Sequence, residues 1–233
     1  MVYKNLFFDL DDTLWAFSVN AQSTFFEMYQ KHRYGRFFPS FEHFYQLYQQ
    51  RNHQLWIDYA AGKVTKDELN RQRFVYPLQV VGVPQAEAIA KDFATDFFQV
   101  IPTKSEVIPH AHEVLAELAN RYNLYILSNG FSELQARKMQ SAGIGHYFDG
   151  VVLSDGIGVN KPHRAIFEHA LCVAGVTADR ALMIGDNYEV DIEGALAVGI
   201  DQVFYNVGNI TLPPGKPMPT YTILSLLELK GLL

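Results

Sequence analysis

The chain has 233 residues, 48 % of them hydrophobic and 19 % charged, enough length for a full core and a balance that excludes disordered and fibrous classes. Nineteen Lys and Arg against 25 Asp and Glu give a net charge of −6, which argues against a general binder of nucleic acid polymers or anionic membranes, since both need a basic face. The single cysteine, Cys172, excludes a disulfide within the chain and a cysteine-built zinc site. Cys172 sits in the apolar stretch 170–174 and reads as a small buried hydrophobe. No signal peptide precedes the first apolar run and no run is long enough to span a bilayer, so the expected location is the cytoplasm.

The first predicted strand, Leu6-Phe7-Phe8, runs directly into Asp9-Leu10-Asp11-Asp12-Thr13. Three acids in four positions at the mouth of a buried strand need compensation, and the usual one is a hard cation bound through oxygen. An aspartate beside such a cation can also act as a nucleophile. Asp12 reads as structural, its side chain directed away from such a cation.

From Trp15 to Thr103 the pattern is helical only. Phe41, Phe44, Tyr45 and Tyr48 follow i, i+3, i+4, i+7 spacing, Thr65 to Glu68 has capping-box spacing, and Gly82-Val83-Pro84 breaks a helix. More than half of the aromatic side chains fall here. They suit either a helical core or stacking on a nucleobase.

Strand and helix then alternate. A helix at 111–120 precedes the strand Leu124–Leu127, which ends on Ser128-Asn129-Gly130. Ser132 to Gln135 has capping-box spacing and starts a helix that stops near Gly143. Val151-Val152-Leu153 is the third strand. Lys161-Pro162 opens a helix with proline at its first position, closed by Gly175. Ala181–Ile184 leads to Gly185-Asp186, a helix follows from Asp191 to Val198, and Val203-Phe204-Tyr205 is the fifth strand. The stretch 213–219 reads as a loop, and Ser225 to Glu228 caps a terminal helix. The eight histidines form no i, i+4 ligand pair, and His163 reads as a surface residue.

This alternation predicts an α/β fold: a doubly wound, Rossmann-like parallel sheet with an inserted all-helical cap. The expected boundaries are 1–14 with 104–233 for the core and 15–103 for the cap. Ligands of such sheets bind beyond the carboxyl ends of the strands, which would gather Asp9, Ser128 and Asp186 on one rim beneath the insert.

Asp9, Asp11 and Thr13, then Ser128, then Lys161-Pro162, then Gly185-Asp186 with Asp191 also form an ordered series of motifs. In that order they resemble the haloacid dehalogenase superfamily of phosphohydrolases over essentially the whole chain. Finer features resemble its bacterial pyrimidine 5′-nucleotidase branch. They are Asp9 to Trp15, Ser128-Asn129-Gly130-Phe131, Tyr147-Phe148-Asp149, Gly158 to Pro162 and Pro219-Thr220-Tyr221-Thr222. Ser128 stands where that branch often has threonine, which keeps the hydroxyl.

The resemblance implies that Asp9 attacks phosphorus to form an aspartyl-phosphate and that Asp11 is the general acid and base. It implies Mg²⁺ held by Asp9, the backbone carbonyl of Asp11 and Asp186. Asp191 either orients that shell through a water or caps its helix. Ser128, Lys161 and the backbone near Asn129 would hold the phosphate, and Trp15 with Phe17 would touch the substrate. A nucleoside 5′-monophosphate is the implied small-molecule substrate, with a sugar phosphate or phosphoglycolate as the alternative. A 2-haloacid dehalogenase and a catalytically idle interaction protein are the other classes. Intact Asp11 and Asp186 argue against the former, and the retained Asp9 and Lys161 argue against the latter.

Overall fold

The computed structural model describes residues 3–233, which form two compact units: residues 3–17 with 105–233, and residues 18–104. The first is built on six parallel strands: β1 (Asn5–Phe8), β2 (Asn123–Ser128), β3 (Gly150–Leu153), β4 (Ala181–Gly185), β5 (Asp201–Tyr205) and β6 (Tyr221–Ile223). Their order is β3-β2-β1-β4-β5-β6. The strands read as unbroken apolar runs because a parallel sheet is covered on both faces. On one face Phe7, Leu127 and Met183 pack with Ile166 and Phe167 in a buried cluster.

The chain winds outward from β1 to β2 and β3, then returns to the other side of β1 with β4. The β1–β4 pair is therefore where strand order reverses, the usual ligand position of an open α/β sheet. Phe8 stands opposite Ile184 in that pair, so Asp9 and the Gly185-Asp186 step leave the sheet side by side.

The second unit contains most of α1 (Phe17–Lys31) and all of α2 (Phe41–Ala60), α3 (Lys66–Val80) and α4 (Ala86–Val100). Phe25 is its centre, with ring centroids 4.0 Å from Tyr48 and 4.4 Å from Phe97. Phe44, Phe74 and Phe93 close around it. These side chains are buried, so the aromatic richness of this segment builds its core. The Thr65–Glu68 capping box is formed at the start of α3.

The helices of the sheet unit are α5 (Ala111–Leu118), α6 (Ser132–Ser141), the single turn α7 (Ser154–Ile157), α8 (Arg164–Ala174), the short α9 (Glu193–Leu196) and the terminal α10 (Leu229–Leu232). Four local expectations need correction. The capping box at Ser132 does not form, because α6 is preceded by Phe131 without a side-chain cap, and Gln135 turns elsewhere. Pro162 lies two residues before α8, whose N-terminus is capped instead by His163 accepting from the Ala165 amide at 3.2 Å. The expected loop-to-helix tail contains the strand β6, which pairs with β5. Cys172 is exposed, because α8 turns Ile166, Phe167 and Ala170 inward and a position two residues beyond Ala170 points the other way. No helix among the described residues is long and apolar enough to cross a membrane.

Candidate active site

Beyond β1 the chain folds sharply: the amides of Leu14 and Trp15 both return to the Leu10 carbonyl, at 3.0 and 2.8 Å. Asp12 takes the left-handed conformation at φ 59°, which aspartate tolerates better than most residues. Leu10 is fully buried, whereas Asp9 and Asp11 on either side of it each meet a lysine. Period-two alternation, carried one step past the strand, separates the apolar residue from the two acids.

Lys161 is 1 % exposed, and its ammonium donates to Asp9 Oδ1, Asp191 Oδ1 and the Leu127 carbonyl, each at 2.7 Å. Those three bonds use every proton of the ammonium. Lys161 therefore offers a ligand at Asp9 its charge more than a free donor. Asn129, expected beside the phosphate, accepts from the Lys161 amide at 2.7 Å and donates to the Lys161 carbonyl at 2.9 Å. Its side chain fixes the lysine's backbone. Asp191 is 1 % exposed, and its second oxygen accepts from the Asn187 amide at 3.1 Å. Asp186 Oδ1 accepts from the Thr13 hydroxyl at 2.8 Å.

Oxygens of Asp9, Asp186 and Asp191 lie within 4.8 Å of one another. Lys161 pairs with two of these three carboxylates, Asp9 and Asp191. Burial, helped by the charges of Asp191 and Asp11, pushes Asp9 up to about 7 against the pull of Lys161. Burial, then repulsion from Asp9 and Asp191, pushes Asp186 up to about 8. For Lys161, burial works against the charge, but Asp191 and Asp9 outweigh it and hold its pKa above the ordinary value. An all-oxygen donor set with excess negative charge is what a hard divalent cation requires.

Ser128 Oγ accepts from the Gly130 amide at 3.1 Å and from Gln135 Nε2 at 2.8 Å, which leaves its O–H to donate. Asp11 stands apart from the three-carboxylate group. Lys138 Nζ meets both of its oxygens, at 2.7 and 2.9 Å, and Gln135 Nε2 reaches Oδ2 at 3.1 Å. Trp15, expected against substrate, is fully buried, and the Lys138 ammonium lies 4.7 Å from its ring centre.

Gln135 and Lys138 were absent from the sequence expectation. Their one signal was i, i+3 spacing on the helix after Ser128, and at Gln135 the capping-box pattern offered a competing explanation. The role of Thr13 toward Asp186 was also missed.

The haloacid dehalogenase-like hydrolase family matches residues 3–199. Pyrimidine 5′-nucleotidase YjjG of Escherichia coli (strain K12) is 32 % identical over 236 aligned positions, covering 100 % of this chain and 99 % of that protein. Pyrimidine 5′-nucleotidase PynA of Streptococcus pneumoniae is 28 % identical, covering 98 % and 94 %. The magnesium-bound crystal structure of YfnB from Bacillus subtilis superposes with a TM-score of 0.88 at 26 % identity, covering 100 % of this chain and 99 % of that one. With the carboxylate group placed at the strand-order reversal and the match running almost end to end, the chain belongs to the haloacid dehalogenase-like hydrolases.

Proposed function

We propose that this protein is a Mg²⁺-dependent phosphatase that hydrolyses nucleoside 5′-monophosphates through an aspartyl-phosphate. The observation that carries the reading is the division of carboxylates. Asp9, Asp186 and Asp191 lie together, with Lys161 pairing two of them, while Asp11 stands separately on Lys138. That division supports giving attack to one side chain and proton transfer to another, the two requirements of a double displacement at phosphorus.

An oxygen of Asp9 attacks phosphorus, and the bond from phosphorus to the ester oxygen breaks. The leaving oxygen keeps the electron pair and takes the proton carried by the Asp11 carboxyl. A water molecule then gives a proton to Asp11 and attacks the phosphorus of the acyl phosphate, releasing inorganic phosphate and Asp9. Ser128 donates its hydroxyl to a phosphate oxygen, and Lys161 reduces the repulsion between Asp9 and the anionic substrate. The carboxylates of Asp9 and Asp186 and the backbone carbonyl of Asp11 would hold Mg²⁺, which would supply the charge neutralisation on which phosphoryl transfer chiefly depends. The nucleotide preference draws on the full-length similarity to the two nucleotidases.

Phosphate release from p-nitrophenyl phosphate and from a panel of nucleotides and sugar phosphates tests the reading. Turnover should require Mg²⁺, stop on chelation and vanish in Asp9→Asn, with pyrimidine 5′-monophosphates the best substrates. A sugar phosphate or phosphoglycolate turned over faster would reassign the substrate. Release from no ester would remove the enzyme reading.

A further inference from the structure

α6 leaves the Ser128 loop and directs two buried polar side chains from successive turns at one carboxylate. Gln135 is fully buried and Lys138 is 4 % exposed. Their i, i+3 spacing puts them on one helix face. A lysine this deeply buried is rare unless paired. Here it grips both oxygens of Asp11, while its ammonium rests 4.7 Å from the ring centre of Trp15 and 5.3 Å from that of Phe17. Gln135 adds a third contact to Asp11 Oδ2 and uses the same nitrogen to reach Ser128 Oγ.

An aspartate on a turn can swing about two side-chain bonds. Proton transfer to a leaving oxygen tolerates little misalignment. Two bonds from Lys138 and one from Gln135 remove that freedom. We propose that Lys138 and Gln135 are positioning residues that aim the Asp11 carboxyl at the oxygen leaving phosphorus, with Gln135 linking that aim to the phosphate-binding Ser128. When Asp11 carries its proton, Lys138 keeps its bond to one oxygen and releases the other, which passes the proton. Trp15 and Phe17 wall the ammonium in place. This rests on the phosphate-ester reading of the site.

The test follows kcat/KM across substituted phenyl phosphates, plotted against the acidity of the phenol released. In Lys138→Met a misaimed acid leaves more charge on the departing oxygen, so the plot steepens. The poorest leaving group should lose about 10²-fold, at the lower end of what general acid catalysis contributes, and p-nitrophenyl phosphate far less. Lys138→Arg, which can also grip both oxygens, should restore the slope, and Gln135→Leu should steepen it partially. A uniform fall with unchanged slope would show a merely structural lysine and overturn the proposal. A crystal structure of Lys138→Met reads the same point without turnover. Asp11 turned away from its wild-type position supports positioning, and Asp11 unmoved refutes it. Should the wild type hydrolyse no phosphate ester, the phosphatase reading fails, and the crystal structure still decides whether Lys138 places Asp11.

Discussion

Lys161 is the residue on which the electrostatics of the site turn. Among the described residues its ammonium pairs with two of the three close carboxylates, Asp9 and Asp191. Removing one partner of a buried ion pair leaves charge without compensation and typically costs roughly 3–5 kcal/mol. Lys161→Met preserves the apolar stem and deletes only the charge. Its unfolding free energy, taken from the shift in urea midpoint at constant slope and without metal, should therefore fall by an amount in that range. A loss below about 1 kcal/mol, the scale of an exposed pair, would mean that the carboxylates do not depend on the lysine. Asn129→Ala should act on the same group indirectly. It deletes both bonds that hold the Lys161 peptide and leaves the ammonium in the chain, so activity should fall while Lys161 remains protonated.

At the scale of elements, the loop from β2 into α6 depends on a glycine for reasons of space. A Cβ on Gly130 would collide with the Gln135 amide, so the side chain that reaches both Asp11 and Ser128 would have to leave. Gly130→Ala should reproduce the kinetic behaviour of Gln135→Leu, with little effect on the thermal midpoint. A normal leaving-group slope in Gly130→Ala would show that Gln135 can be displaced without consequence. This loop also shows where the sequence was readable. Five strands were legible because each is an unbroken apolar run ending in polar or small residues, and the acids at those ends announced the site. The strand β6 was not legible, since Tyr221–Ile223 is three residues long and follows a proline-rich stretch. Lys138 was hidden for a different reason. Its partner Asp11 lies 127 positions away, and spacing within α6 cannot reveal a contact that only the winding of the sheet creates. Asn129 was legible as a member of a motif, but its attachment to the Lys161 backbone came from the fold.

For the whole molecule, the excess of buried carboxylates links folding, protons and metal. Asp9 and Asp186 bind their protons more tightly in the folded chain, at about 7 and about 8 against an ordinary 3.8. The folded state therefore holds more protons than the unfolded state between those values, and stability falls as pH rises through that window. The stabilising contribution is complete below 3.8 and is lost once pH passes about 8. A divalent cation bound only by the folded chain reverses this, and its effect should be greatest where the carboxylates are ionised. The two tryptophans divide between the units, Trp15 with the sheet and Trp56 with the helices, so a Trp56→Phe background makes fluorescence report the sheet unit alone. In that background the metal-free melting midpoint should decline from about pH 5 to about pH 8.5, and Mg²⁺ should raise it more at the upper end. Asp186→Asn removes one of the two titrating groups and one of the three carboxylates. Its metal-free profile should be flatter over the same range and its gain from Mg²⁺ smaller. A midpoint that rises with pH in the metal-free protein, or a gain from Mg²⁺ that Asp186→Asn leaves intact, would mean that these carboxylates neither repel one another nor hold the cation.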